Sequence, residues 1–350
     1  MENQTGYHVA VVGATGAVGE QMLKMLEQRQ FPLKSLKVLA SARSAGQKVA
    51  FRGEDITVEE TTPEAFEGVQ IALFSAGGSV SKKFVPEAIK RGAVCIDNTS
   101  AYRMDPEVPL VVPEVNPDAM KQHNGVIANP NCSTIQMVAA LKPLHDKFGM
   151  ERIIVSTYQA VSGAGAKAIA ELENQSRAAL NGEEVKKEVL PVSSLPKHHQ
   201  IAFNAIPQID VFLDNGFTNE EMKMIRETKK IFGNEDVAVS ATCVRIPVVK
   251  GHSEAVYVEF EKDFELADVR SLLENAPGVV LVDNPEEQEY PMALDAADKI
   301  EVFVGRLRRD LDHPRGLHMW VVSDNLLKGA AWNAVQIAEE LVKSGLIEEK

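Results

Sequence analysis

His8-Val-Ala-Val-Val12 followed by Gly13-Ala-Thr-Gly16-Ala-Val-Gly19 decides the fold of this chain. A short, mostly apolar run ends in three glycines, each separated by two residues, and Glu20 to Gln28 then carries a helical pattern. That order is strand, tight turn, helix. The next strand is expected at Leu36 to Ala40, which makes a βαβ unit of the length that a parallel, doubly wound sheet requires. Buried strands are further expected at Ile71 to Phe74, Ala93 to Ile96, Leu110 to Val112 and Val126 to Ala128.

Glycine turns also arise for steric reasons alone, but a turn between an apolar strand and a helix lets a pyrophosphate approach the helix N-terminus closely. Dinucleotide binding at Gly13, Ala14, Thr15, Gly16, Ala17 and Val18 is therefore expected. A domain preferring NAD places Asp or Glu at the end of the second strand, against the ribose 2′-hydroxyl. Here the run is Ala40-Ser41-Ala42-Arg43-Ser44. Hydroxyls and a guanidinium suit a 2′-phosphate, so Ser41, Ala42, Arg43 and Ser44 point to NADP(H). Ser75, Ala76 and Gly77 form a second loop where backbone could approach the cofactor.

The chain has 350 residues, enough for about two domains. Hydrophobic residues make up 45% and charged residues 25%, so disorder, collagen and a membrane protein are excluded by composition. A net charge of −13 argues against a general binder of nucleic acid or anionic membranes, which needs clustered Lys and Arg. Any anionic ligand must meet locally placed basic residues. Three widely spaced cysteines, Cys95, Cys132 and Cys243, fit neither a disulfide framework nor a metal site. His198 and His199 lack further ligands at metal spacing. With no basic-then-apolar leader and no apolar run approaching about 18 residues, a cytoplasmic, unanchored protein is expected.

Beyond Cys132 the pattern changes to longer alternating strands at Arg152 to Gln159, Val237 to Ile246 and Ala255 to Phe260, which suggest a mixed or antiparallel sheet. A helical pattern covers Ala164 to Gly182, an irregular stretch follows from Val185 to Pro207, and Asn325 to Ser344 reads as a final helix able to return to the first domain. The expected class is α/β. A Rossmann-type domain spans 1–131 and is completed by the C-terminal helix, 325–350. An α+β domain with a mixed, largely antiparallel sheet spans 132–324.

Cys132 lies in Asn129-Pro-Asn-Cys132-Ser-Thr134, a turn-forming run leading straight into the helical stretch Ile135 to Leu144. At a helix N-terminus the dipole and free N–H groups favour a thiolate, although a small apolar residue at a helix start would look the same. A thiolate beside a nicotinamide implies interconversion of aldehyde and acyl groups, which also needs an acid–base group. His252, after the flexible Gly251 and between two strands, is the candidate among eight histidines.

Gly13-Ala-Thr-Gly16-Ala-Val-Gly19, Asn98-Thr-Ser-Ala-Tyr-Arg103, Asn129-Pro-Asn-Cys132-Ser-Thr134, Tyr158-Gln159-Ala-Val-Ser-Gly163-Ala-Gly165 and Arg245-Ile-Pro-Val-Val-Lys-Gly251-His252 occur in this order. Together they resemble aspartate-β-semialdehyde dehydrogenase from about residue 8 to about residue 340. The resemblance implies NADPH-dependent reductive dephosphorylation of L-aspartyl-4-phosphate to L-aspartate-4-semialdehyde and phosphate, serving lysine, threonine, methionine and diaminopimelate synthesis. It makes Cys132 the nucleophile, His252 the acid–base catalyst and Gln159 the residue that orients the reacting groups. Arg245 takes the α-carboxylate, Glu220 the α-amino group, and Arg103 and Lys223 the phosphate. Glu221 is an alternative to Glu220, and Glu220 with Lys223 could equally form a surface ion pair.

Ser162 and Gly163 are implied near the nicotinamide and Asn325 at its amide, although Asn325 reads equally well as a helix N-cap. The family further implies a homodimer through the second domain, with a tetramer as the wider option. N-acetyl-glutamyl-phosphate reductase shares the chemistry but takes a substrate with no free ammonium. A non-catalytic NADP-binding sensor is the reading from another class.

Overall fold

Glycine at two places lets the first strand, its turn and its helix pack against one another. A computed structural model describes residues 6–347; residues 1–5 and 348–350, the two ends of the expected first domain, lie outside the described residues. β1 (Tyr7–Val12) ends at Gly13, whose φ is +83°, and a Cβ there would stand 2.8 Å from the backbone N of Ala76. α1 (Ala17–Gln28) follows, and a Cβ on Gly19 would stand 2.2 Å from the carbonyl oxygen of Gly13. Only glycine permits that approach.

β2 (Leu33–Ala40), the hairpin of β3 (Lys48–Phe51) and β4 (Glu54–Thr57), and β5 (Glu59–Glu60) come next. β6 (Ile71–Phe74), α2 (Gly78–Lys90), β7 (Val94–Asp97) and β8 (Val126–Ala128) complete the series. The sheet runs β5-β2-β1-β6-β7-β8, with every pairing parallel. Fully buried runs such as Ile71 to Phe74 are what a parallel sheet covered on both faces demands.

One expected strand is absent. Leu110 to Val112 makes a single parallel bridge, Leu110 to Ala128, because Pro109 and Pro113 flank it and proline neither donates to a ladder nor leaves its predecessor free. The segment is buried as expected, without becoming a strand.

The chain divides between Asn131 and Cys132 and again between Gly329 and Ala330, so 132–329 form a second unit. It opens with α3 (Cys132–Phe148), β9 (Arg152–Gln159) and α4 (Ala166–Asn181). α5 (Asn219–Phe232), β10 (Ala238–Arg245), β11 (His252–Glu259), α6 (Leu266–Glu274), β12 (Val279–Leu281), α7 (Ala293–Ala296), β13 (Val302–Arg309) and β14 (Gly316–Ser323) follow. The sheet order is β10-β9-β11-β14-β13-β12, with the two outermost pairings parallel and the three inner ones antiparallel. On β9, Ile153, Val155, Thr157 and Gln159 are buried, while Arg152, Ile154 and Tyr158 are exposed. α3, α5 and α6 pack with this sheet around a core that includes Phe148, Phe260 and Phe264.

The irregular stretch after α4 is held by two side chains. Glu171 accepts from the backbone N–H groups of Glu188, Val189 and Leu190, and Gln175 accepts from those of Ile201 and Ala202. The last helical segment is less simple than a helix from Asn325. Leu327–Ala331 is a π-helical turn, and α8 (Trp332–Lys343) packs on α1, β6 and β7 of the first unit. Residues 325–329 stay with the second unit. Among the described residues no helix is long and apolar enough to cross a membrane.

Gly19→Ala is expected to destabilise the first unit by about 1–3 kcal/mol, since the added methyl meets backbone that cannot step aside. Urea unfolding followed by circular dichroism checks this; an unchanged midpoint would show that α1 can shift freely.

Candidate active site

The parallel register of β9 and β10 places Gln159 directly opposite Arg245, each at the end of its strand. β11 runs antiparallel to β9 and begins at His252, beside the pair Tyr158 and Ser253. Three strand termini therefore bring Gln159, Arg245 and His252 together. Gly251 has φ +91°, and a Cβ on it would stand 2.8 Å from the carbonyl oxygen of Ala293, so the turn into His252 requires glycine.

His252 is fully buried. Its Nδ1 accepts from the backbone N–H of Ala160 at 3.0 Å. Because a backbone amide only donates, the neutral ring carries its proton on Nε2, which faces the Gln159 amide nitrogen at 3.5 Å. Burial first, and then the nearby Arg245 cation, push the imidazole down to about 3, with Glu220 opposing. The ring is neutral at pH 7.

Thr157, two residues back on the same face of β9, donates its hydroxyl to Gln159 Oε1 at 2.9 Å. That fixes the amide so that Nε2 donates to Glu220 Oε1 at 3.2 Å. Arg245 is 4% exposed; Nη1 donates to the Ala160 carbonyl at 2.7 Å, and Nε has no hydrogen-bond partner among the described residues. Burial lowers its pKa and the Glu220 carboxylate opposes the fall.

The first turn of α5 separates the two neighbouring glutamates by role. Thr218 and Glu221 form a capping box: Thr218 Oγ1 accepts from Glu221 N at 3.3 Å and Glu221 Oε2 accepts from Thr218 N at 2.7 Å. Glu221 Oε1 accepts in addition from Cys243 N. With both oxygens of Glu221 taken by backbone, Glu220 is the carboxylate beside Gln159. Lys223 donates to Glu220 Oε2 at 3.2 Å and to Asp210 Oδ2 at 2.9 Å, so the surface pair suggested by its spacing is a half-buried triad.

Cys132 is a half-buried thiol, outside any disulfide, at the first residue of α3. A Cβ on Gly329 would approach Cys132 Cβ to 2.7 Å, so no side chain fits there. Gly163 is less tightly constrained, because its Cβ would stand 3.0 Å from Arg245 Nη1 and 3.3 Å from the His252 ring. Asn325 joins three loops: Oδ1 accepts from Gly251 N at 3.0 Å, and Nδ2 donates to Ser162 Oγ at 2.9 Å. It is not the N-cap. Asp324 fills that role, accepting from the backbone of Leu326 and Leu327.

In the first unit a cleft of about 560 Å³ is lined by Gly13, Thr15, Gly16, Ser41, Ala42, Arg43, Ser75 and Ala76. Ala14 is buried beneath it, Thr15 Oγ1 reaches Ser44 Oγ at 3.5 Å, and Gly77, at φ +97°, precedes α2. Ala17 and Val18 begin α1 and do not line the cleft. A cleft lined by Gly13, whose Cβ would collide with Ala76, and by Arg43 fits a phosphate-bearing dinucleotide. Arg103 also belongs to this unit; it is buried, with Nε donating to the Asn129 carbonyl and Nη2 to the Asn98 carbonyl.

Sequence reasoning missed Glu60, Thr61 and Lys83 at the cleft, and Thr157, Ala160 and Asp210 in the second unit. The period of two along β9 could have singled out Thr157 beside Gln159. Ala160 acts through its backbone, and Asp210 sits in a loop; neither leaves a mark in the sequence.

Residues 8–123 match the family described as semialdehyde dehydrogenase, NAD binding domain, and residues 141–328 match semialdehyde dehydrogenase, dimerisation domain. The chain is 63% identical to the aspartate-semialdehyde dehydrogenase of Bacillus subtilis (strain 168), covering 98% of this chain and 99% of that one. Among solved structures, aspartate semialdehyde dehydrogenase II of Vibrio cholerae complexed with ASA is 49% identical with a TM-score of 0.92, covering 97% of this chain and 98% of that one. The Candida albicans aspartate semialdehyde dehydrogenase with NADP is 26% identical with a TM-score of 0.75, covering 97% and 100%.

The folded pKa of His252 lies below its unfolded value of about 6.5, so its contribution to stability is complete above that pH and is lost as pH falls toward about 3. His252→Gln is expected to flatten the fall in stability between about pH 6.5 and pH 4. Urea midpoints across that range check it; equal slopes for the two proteins would mean that the ring is not held neutral.

Proposed function

The chain belongs to the aspartate-semialdehyde dehydrogenase family, and from that membership we propose how its own residues carry the reaction. The enzyme catalyses NADPH-dependent reductive dephosphorylation of L-aspartyl-4-phosphate to L-aspartate-4-semialdehyde and phosphate, a step in lysine, threonine, methionine and diaminopimelate biosynthesis. The observation that carries the assignment of roles is the convergence of Gln159, Glu220, Arg245 and His252 on one end of the second sheet.

Cys132 attacks the acyl phosphate, forming a C–S bond as the C–O bond to phosphate breaks. The dipole of α3 favours the thiolate at its first residue. The glycine turn and Ser41 to Ser44 would hold NADPH, which would supply the hydride that reduces the thioester. His252, whose Nε2 carries the ring proton, gives it to the oxygen as the hemithioacetal forms and recovers it as the C–S bond breaks. Arg245 forks the substrate α-carboxylate, which is why its Nε stands ready for a ligand. The same contact offsets the cation that depresses His252, so proton transfer becomes easier when substrate is bound.

Glu220 receives the α-ammonium, which favours an aspartyl substrate over an N-acetylated one, where this carboxylate would have no cation to meet. Lys223 and Arg103 take the phosphate. Gln159 holds the carbonyl between Cys132 and His252, and Ser162, Gly163 and Asn325 border the nicotinamide. The segment matching the dimerisation domain pairs two copies of the chain, and the enzyme works in the cytoplasm.

Cys132→Ala is expected to lower turnover of aspartate semialdehyde with phosphate and NADP by more than about 1,000-fold while NADP affinity changes by less than about threefold. Retained turnover would refute the nucleophile, and loss of NADP binding would show a folding defect. Arg43→Leu is expected to raise KM for NADP by roughly tenfold and to leave NAD use unchanged, which steady-state kinetics with both cofactors decides.

A further inference from the structure

Four residues beyond Cys132, on the same face of α3, stands Gln136. It is fully buried between Ile135 and Met137, which are also fully buried. A polar amide in such a place costs stability unless its hydrogen bonds are made. Those of Gln136 all go to two neighbouring strands. Nε2 donates to the carbonyl of His252 at 3.2 Å and to that of Val321 at 3.4 Å, and Oε1 accepts from the hydroxyl of Ser323 at 2.9 Å. His252 and Ser323 face one another across the β11/β14 ladder, and so do Glu254 and Val321.

Glu254 adds a second observation. It is fully buried, two residues after His252 on the same face of β11, and neither carboxyl oxygen has a hydrogen-bond partner with regular geometry among the described residues. The Gln136 amide is the side chain that acts on it, and burial pushes the carboxyl far above the usual carboxylate range. Glu254 is thus a buried neighbour of the Gln136 side chain, which opposes that rise, and not one of its hydrogen-bond partners.

We propose that Gln136, oriented by Ser323, is a positioning residue that fixes the Cys132 end of α3 against the backbone of His252. It touches neither substrate nor cofactor. A turn of helix separates it from the thiol and one peptide group separates it from the imidazole, so this single amide sets the spacing of nucleophile and proton carrier within the second unit. The inference rests on the roles given above to Cys132 and His252. Misplacement by about 1 Å at such a centre costs roughly 100-fold in rate, so the effect belongs in kcat.

The test is steady-state turnover of aspartate semialdehyde with phosphate and NADP, counted per folded protein. Gln136→Met keeps volume and removes every hydrogen bond; it is expected to lower kcat about 10- to 100-fold, with KM for semialdehyde and NADP within about twofold. Ser323→Ala, a smaller change that keeps the fold if Gln136→Met does not, is expected to lower kcat about three- to tenfold with the same KM values. Glu254→Gln, which keeps the size of the side chain and leaves the three hydrogen bonds of Gln136 in place, is expected to stay within about threefold of the parent. Unchanged kcat in Gln136→Met or Ser323→Ala, an effect confined to KM, or a Glu254→Gln protein as impaired as Gln136→Met would overturn the proposal. Those outcomes with an active parent refute the positioning role alone; an inactive parent, or an active Cys132→Ala protein, refutes the roles beneath it.

Discussion

The candidate site depends on the backbone of one residue, Ala160. Its N–H donates to His252 Nδ1 and its C=O accepts from Arg245 Nη1, so a single residue just past the end of β9 sets both the tautomer of the histidine and the reach of the guanidinium. Neither bond can be reversed, because backbone polarity is fixed. The arrangement exists only because β9 has a parallel neighbour on one side and an antiparallel neighbour on the other. The end of one strand and the start of another then meet at the same corner. Moving any register by one residue would turn Gln159 or His252 to the opposite face.

The electrostatics of this corner follow from burial rather than from the overall charge. A chain of net charge −13 still keeps Arg245 and Lys223 within the second unit because each has carboxylates close by, Glu220 for the first and Glu220 with Asp210 for the second. Glu220 also supports the protonated form of His252, against Arg245 and desolvation. The Glu220 carboxylate is therefore shared among a lysine, an amide and the field at an imidazole. A cationic group arriving there must compete with Lys223, which makes the triad a selector as well as a holder.

Much of this was legible in the sequence. The glycine turn, the parallel strands of the first unit and the change of pattern after Cys132 follow from periodicity and from the demands of tight turns. Leu110 to Val112 failed as a strand because apolar character reports burial, and the two prolines that forbid a ladder lie just outside the run. β13 escaped notice because it carries Arg306, Arg308 and Arg309 and reads as polar. At the site, side chains of distinctive chemistry could be singled out, and the choice between Glu220 and Glu221 could not. That choice is made by a capping box that consumes one of two identical carboxylates, and it becomes visible only once the helix start is known. Ala160 lies beyond sequence reading altogether, since any residue but proline supplies the same N–H.

Two glycines show how little space the chemistry leaves. A single methyl at Gly329 would overlap Cys132 Cβ, and one at Gly163 would crowd both Arg245 and His252. Gly329 lies within the π-helical turn, a geometry that widens one turn of helix and is costly outside special sites. Close approach of backbone to the nucleophile, together with Gln136 on the next turn of the same helix, confines Cys132 from two directions. The helix dipole can activate a thiol, but it cannot aim one. Aim comes from packing that leaves the helix start no room to move, and in this chain that packing is made by residues with no chemistry of their own.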